Sequence, residues 1–333
     1  MSAPKVRVAV IGMGAIGSIF AAWLAALEER VELKVLARGA TLQALRTHGL
    51  RITAESNEQT IPVDASDDPA SFGVQDLVVV AVKGPALASV APTVRDMLGP
   101  ETTVILAMNG VPHWFFYGQG GPFEGRTITS VDPGGHIEAS IPSDRVLGCV
   151  VHVSAATGDD PGRVRHVAGR GLILGEPSGT RTPRLMVIAR LLEEAGFAIT
   201  LSDRIQTDVW FKLWGNMTMN PISALTSATT DRILDDPLAR SFVSAVMLEA
   251  KAIGERIGCP ISQSPEDRHA VTRKLGPFKT SMLQDAERGR PMEVDVLLTA
   301  VHEIGALVGL RTPNLDALLA LTRLMAASRR ALP

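Results

Sequence analysis

The sequence predicts an α/β N-terminal half followed by an all-helical C-terminal half. Through the first two-thirds of the 333 residues, short apolar runs without polar alternation are separated by helical stretches. That pattern marks a parallel sheet covered on both faces. From Asp203 onward β-type runs stop, and apolar residues recur at helical spacing in long segments. The change places a domain boundary near 202, giving domains of 1–202 and 203–333, in keeping with roughly 100–200 residues per domain.

The elements follow in order. Val6–Ile11 is a run of β-branched residues and alanine, and Ser18–Leu27 reads as the helix after it. Val31–Leu36 is a second run. Leu77–Val82 is nearly pure valine and leucine, which suits a strand buried on both faces, and Thr103–Ala107 is another such run. Between 127 and 180 the texture is different. Ile128–Val131, Gly148–Val153, Gly162–Val167 and Gly171–Gly175 are short β-like pieces between Pro and Gly turns, read as antiparallel strands extending the sheet. Pro183–Gly196 reads as a helix ending on a C-terminal glycine, and Phe197–Leu201 as one more strand. Helical spacing then covers 205–219, 237–257, 266–287, 291–308 and 313–328.

Composition excludes several functional classes. A formal net charge of -2, without blocks of like charge, offers no field for nucleic acid or an anionic membrane. No apolar run approaches the roughly 20 residues needed to span a bilayer. Val6–Ile11 runs straight into glycines rather than forming a secretory signal, so a cytoplasmic location is expected. Cys149 and Cys259 make no disulfide framework. The seven histidines show no metal-ligand spacing, and no G-x-S-x-G elbow is present, so neither a metal site nor a serine hydrolase is expected.

Gly12-Met13-Gly14-Ala15-Ile16-Gly17 is G-x-G-x-x-G directly after a predicted strand and opening a predicted helix. This context predicts a Rossmann-type dinucleotide-binding domain. Gly12 permits the tight turn, Gly14 lets a pyrophosphate approach the backbone, and Gly17 lets helix pack on strand. Exposed N–H groups and the helix dipole would hold the phosphates. The end of the second strand reads Leu36-Ala37-Arg38-Gly39, with no acid beside the arginine. An acid there would bind a ribose 2′-hydroxyl, whereas an arginine accommodates a 2′-phosphate, so NADPH/NADP is the expected cofactor.

In the second half, Lys212, Asn216 and Asn220 recur at i, i+4 and i+8 and form one polar row on a helix. Trp210, Leu213, Trp214 and Met217 form an apolar stripe on the same helix. A lysine and two carboxamides on a largely buried helix need a polar partner, which a ligand in a cleft would supply. An ammonium suits proton donation to a carbonyl oxygen as hydride arrives at carbon.

At these residues the sequence resembles the ketopantoate reductase family (2-dehydropantoate 2-reductase). The resemblance spans nearly the whole chain in order: Gly12–Gly17, Val82-Lys83, Asn109-Gly110, Lys212-Leu213-x-x-Asn216-x-x-x-Asn220-Pro221, Thr280-Ser281-Met282-Leu283-Gln284-Asp285 and Glu293. It implies NADPH-dependent reduction of 2-dehydropantoate to pantoate, a step towards pantothenate and coenzyme A. Lys212 would be the proton donor. Asn216, Asn220 and Ser281 would position substrate, and Glu293 would lie near substrate and nicotinamide. Lys83, Asn109 and Arg38 would serve the cofactor, Arg38 at the 2′-phosphate. Asn109 would stand next to the substrate as well.

Competing readings exist for three of these. Ser281 and Gln284 fit S-x-x-Q, a helix capping box, Glu293 could favour a helix N-terminus after Pro291, and Lys83 could simply end a strand. Two features depart from the family's pattern. Thr230 stands where another substrate-contacting asparagine is common, and His113-Trp114-Phe115-Phe116-Tyr117 is an aromatic run, read as a packed helix start. They keep a reductase of another branched or aromatic 2-oxo acid as an alternative, with a non-catalytic NADP-sensing protein behind it. The expected partners are a small-molecule 2-oxo acid, no nucleic acid and no membrane, with a homodimer left open.

Overall fold

The computed structural model describes residues 4–54 and 57–330, the side chain of residue 330 excepted. The chain separates into two compact units. Among the described residues, the first holds 4–54, 57–108, 114–125 and 135–205; the second holds 109–113, 126–134 and 206–330.

The first unit is α/β. Its strands are β1 (Val6–Ile11), β2 (Val31–Leu36), β3 (Leu50–Ala54), β4 (Asn57–Ile61), β5 (Asp64–Ser66), β6 (Leu77–Val80), β7 (Thr103–Leu106), β8 (Val146–Thr157), β9 (Arg163–Gly175) and β10 (Ala198–Leu201). Helices α1 (Ala15–Ala25), α2 (Gly39–His48), α3 (Gly84–Arg95), α4 (His136–Ser140) and α5 (Pro183–Ala195) connect them. The strands form one ten-stranded sheet in the order β4-β3-β9-β8-β7-β6-β1-β2-β5, with β10 beside β9. Pairs along β8-β7-β6-β1-β2-β5 are parallel, as βαβ crossovers require, while β8 and β9 run antiparallel. Central strands are buried on both faces, as their unbroken apolar sequence demands; all four residues of β6 and of β7 are buried. The chain steps to opposite sides of β1 to make β2 and β6. Their carboxyl ends therefore border a topological switch point, the place where open α/β sheets bind ligands.

Several expected boundaries shift. Gly162–Val167 and Gly171–Gly175 are one strand, β9, and Gly148–Val153 is the middle of β8. Ile128–Val131 is not a strand. Its buried Ile128 and Val131 give it a β-like sequence. Its backbone instead serves a carboxylate: Thr129 and Ser130 donate their N–H groups to Glu303 at 2.7 and 2.9 Å. The aromatic run is a series of turns rather than a helix start, with Trp114, Phe115 and Phe116 buried in the core.

The second unit is helical: α6 (Ile205–Thr226, entered from the first unit), α7 (Thr230–Asp235), α8 (Pro237–Arg256), α9 (Pro265–Arg273), α10 (Ser281–Glu287), α11 (Ala300–Leu307) and α12 (Pro313–Arg330), with a π-turn at Asp295–Thr299 before α11. Caps set the helix starts. Asp236 accepts from Leu238 and Ala239 at the head of α8, and Ser264 with Asp267 forms a capping box on α9. Glu249 of α8 accepts three N–H bonds from Asn314 and Leu315 and so holds the head of α12.

Candidate active site

The sequence-predicted residues fall into two groups, one in each unit. In the first unit the glycine loop leaves the carboxyl end of β1. Gly12 sits at φ +93°, open to glycine without strain, and a Cβ there would lie 2.6 Å from Val82 Cγ1. A Cβ on Gly17 would collide with the Gly12 carbonyl oxygen, so helix α1 can lie on the loop only with glycine there. Gly14 is different: its Cβ would meet nothing within 4 Å. Among the described residues no atom requires glycine at 14. Open space beside a backbone at a helix N-terminus is what a pyrophosphate needs. Gly14 is also the N-cap of α1, with no side-chain cap and no acid in the first turn, so the N-terminal N–H groups suit an anion. Met13, Ala15 and Ile16 pack partly on the core and fix the path of the loop. The residues present fit a dinucleotide.

Arg38 follows β2 as the exposed N-cap of α2, and its side chain makes no hydrogen bond or ion pair among the described residues. Lys83 is the exposed N-cap of α3, three residues after β6. The exits of β6 and β1 are tied by the Ala81 N–H on the Ile11 carbonyl at 2.8 Å. Gly12–Gly17, Arg38 and Lys83 therefore all follow the carboxyl ends of three adjacent strands, in the order β6-β1-β2.

In the second unit, α6 carries the polar row. Trp210 and Trp214 are sealed on its far side, and their indole N–H groups donate to Ala250 and Met247 carbonyls of α8 at 3.3 and 2.7 Å. These two anchors fix the rotation of α6. Lys212 and Asn216 are half-buried, and Asn220 is buried. The helix runs on through Pro221 to Thr226, seven residues beyond its expected end at 219.

Ser281 is the first residue of α10, and Thr280 is the cap: its hydroxyl accepts the Leu283 N–H at 3.2 Å. The capping-box reading of Ser281 and Gln284 is therefore overturned. The exposed Ser281 hydroxyl is not engaged as a cap, and Gln284 donates back to the Lys279 carbonyl. Glu293 is buried and precedes the π-turn. In that turn the Ala300 N–H reaches the Asp295 carbonyl, five residues back. The Val296 carbonyl accepts the Val111 N–H, which brings the Asn109-Gly110-Val111 segment onto the residues following Glu293. Thr230 is turned into its own unit. Its hydroxyl donates to the Gly276 carbonyl at 3.2 Å and its N–H to the Phe278 carbonyl at 3.0 Å, tethering the segment that leads to Ser281.

Sequence reasoning passed over Arg268 on α9. Its guanidinium carbon lies 5.3 Å from the centre of the Phe211 ring. A Cβ on Gly215 would be 2.8 Å from its Nε and Nη2, so the side chain lies against the bare backbone of α6. Nε is sealed and makes no hydrogen bond, and burial alone pushes the guanidinium below its ordinary pKa. The available signal was Gly215, which costs about 1 kcal/mol within a helix and needs a reason to be there.

Among the described residues no cluster of His, Cys, Asp and Glu could hold a metal ion, and no helix is long and apolar enough to cross a membrane.

A doubly wound sheet with a glycine-rich loop at its switch point, joined to a helical unit bearing a lysine–carboxamide row, defines a dinucleotide-dependent oxidoreductase. Residues 8–179 match the family model for ketopantoate reductase PanE/ApbA, and residues 204–326 match the model for the C terminal part of that family. The chain belongs to the ketopantoate reductase family. A 2-dehydropantoate 2-reductase of Mesorhizobium japonicum is 44% identical over 97% of this chain and 98% of its own. The crystal structure of a candidate ketopantoate reductase from Ralstonia solanacearum MolK2 is 55% identical, with a TM-score of 0.94 over 99% of this chain and 100% of that one. A 2-dehydropantoate 2-reductase from Methylococcus capsulatus is 28% identical, with a TM-score of 0.82 over 98% and 99% of the two chains.

Proposed function

We propose that this chain reduces 2-dehydropantoate to pantoate with NADPH. The observation that carries the reading is the Lys212-Asn216-Asn220 row on α6, held in rotation by Trp210 and Trp214, in a family member 44% identical to a protein named for this reaction.

Gly12–Gly17 and the head of α1 hold the pyrophosphate, Lys83 and Asn109 serve the same cofactor, and Arg38 takes the 2′-phosphate. The cofactor, when bound, supplies a hydride equivalent to carbon. The Lys212 ammonium hydrogen-bonds the C2 carbonyl oxygen and gives up its proton as C2 becomes tetrahedral, leaving a hydroxyl; solvent then restores the ammonium. Asn216, Asn220 and Ser281 orient the substrate, while Glu293 holds the ammonium and the forming hydroxyl. Burial of Trp114, Phe115 and Phe116 removes one motive for an aromatic substrate, and the Thr230 hydroxyl has a partner in its own chain.

The test is NADPH oxidation with 2-dehydropantoate beside a panel of 2-oxo acids, repeated with NADH. Lys212→Ala should lose at least about 100-fold in kcat while retaining NADPH affinity. Arg38→Ala should lose preference for NADPH over NADH. Unchanged turnover in Lys212→Ala, or a strong preference for a 2-oxo acid lacking the 4-hydroxyl, would overturn the assignment.

A further inference from the structure

We propose that Arg268 holds the carboxylate of the 2-oxo acid, an assignment that rests on the reductase reading above. A 2-oxo acid bears its carboxylate directly on the carbon that is reduced. The cation that holds it must therefore stand beside the group that protonates the carbonyl oxygen. On α6, Gly215 is three residues from Lys212 and one from Asn216, and residues three apart on a helix are surface neighbours at about 5–6 Å. Arg268 lies on that glycine.

The guanidinium is held in place. Phe211 faces it at 5.3 Å, and Gly215 admits it where any larger residue would displace it. No acid among the described residues pairs with its side chain. A half-buried arginine cannot shed its proton, and such charges are ordinarily paired. Its Nε is the sealed orphan, whereas Nη1 and Nη2 are not among the sealed unpaired atoms. The fork therefore offers its outer edge, which matches the two oxygens of one carboxylate. The chemistry needs two kinds of cation. The Lys212 ammonium can transfer its proton, while the guanidinium stays charged throughout and fixes the acid end.

Steady-state kinetics of Arg268→Gln and Arg268→Lys with NADPH and 2-dehydropantoate test the assignment, with melting temperature as a check of folding. Arg268→Gln should raise KM about 10- to 100-fold, the worth of a charge-assisted pair, with a much smaller fall in kcat and unchanged NADPH affinity. Arg268→Lys keeps the charge and loses the fork, so it should fall between. If Gln at 268 prevents folding, Arg268→Lys alone decides, with a KM rise above about fivefold expected. A wild-type KM in a folded variant would reduce Arg268 to a packing residue. Should the wild-type enzyme reduce no 2-oxo acid, the reductase reading falls. Calorimetry of pantoate binding then judges Arg268 separately, and an affinity unchanged by Arg268→Gln would refute its role.

Discussion

The Val111 N–H donates to the Val296 carbonyl at 2.9 Å, joining the segment that carries Asn109 to the helix start that follows Glu293. Two proposed active-site residues more than 180 positions apart are thereby held by one backbone bond. Gly110 makes that approach feasible. It sits at φ +84°, and a Cβ on it would lie 2.5 Å from the Val296 carbonyl oxygen. Gly110→Ala should cost about 2–3 kcal/mol through backbone strain and lower kcat, read by denaturant unfolding and kinetics. Wild-type values for both would show that the junction relaxes.

The three loop glycines should separate folding from binding. Gly17→Ala drives a methyl into the Gly12 carbonyl and should destabilise the protein by about 3 kcal/mol or more. Gly14→Ala puts a methyl into open space and should melt with the wild type, yet lose most of its NADPH affinity. Calorimetry showing full affinity in Gly14→Ala would remove the pyrophosphate from this loop.

Thr280 and Ser281 are adjacent and should behave oppositely. Thr280→Ala removes the α10 cap and should cost about 1 kcal/mol. Ser281→Ala should leave the melting temperature nearly unchanged and raise KM for substrate. A destabilised Ser281→Ala with normal KM would give the serine a structural role.

His269 is buried on α9, its Nε2 within 2.9 Å of Ser244 Oγ, and burial pushes its pKa below the ordinary value, with nearby Glu266 opposing and Arg240 and Arg273 assisting. The unfolded chain therefore takes up this proton first. The stability from the neutral imidazole is complete above the unfolded pKa near ~6.5 and is lost as pH falls through the lower folded value. Melting temperature should drop less for His269→Gln than for the wild type between about pH 7 and 5. Parallel curves would exclude a contribution from His269.

The first unit was legible because its signals are local. Gly12–Gly17 follows a strand and opens a helix, and β1, β6 and β7 are short, largely buried runs. Residues 128–131 misled because a short β-branched run between turns reads as a strand, while the Thr129 and Ser130 N–H groups go to Glu303, more than 170 residues away. The expected end of α6 at 219 fell short because Ile222 and Ala224 beyond Pro221 are buried, and their packing carries the helix onward. The α10 cap was misplaced by a single residue because threonine and serine stand side by side and either can cap. Lys212, Asn216 and Asn220 stood out through helical spacing, whereas Arg268 had no spacing to reveal it. Its significance comes from a glycine on a different helix.

The π-turn at Asp295–Thr299 has a consequence for how this chain can vary in length. A wide turn holds one residue more than an α-turn. Removing that one extra residue would let the helix close into regular α form with the chain on either side still in phase. Glu293, ahead of the turn, would keep its angular position relative to α11, whereas the same deletion within the regular turns of α11 would wind everything ahead of it by about 100°. The segment therefore absorbs one residue of length between a helix anchored for stability and an acid placed for chemistry. A single-residue deletion at Asp295 or Thr299 should lower kcat far less than a single-residue deletion within α11, read by steady-state kinetics of the two variants.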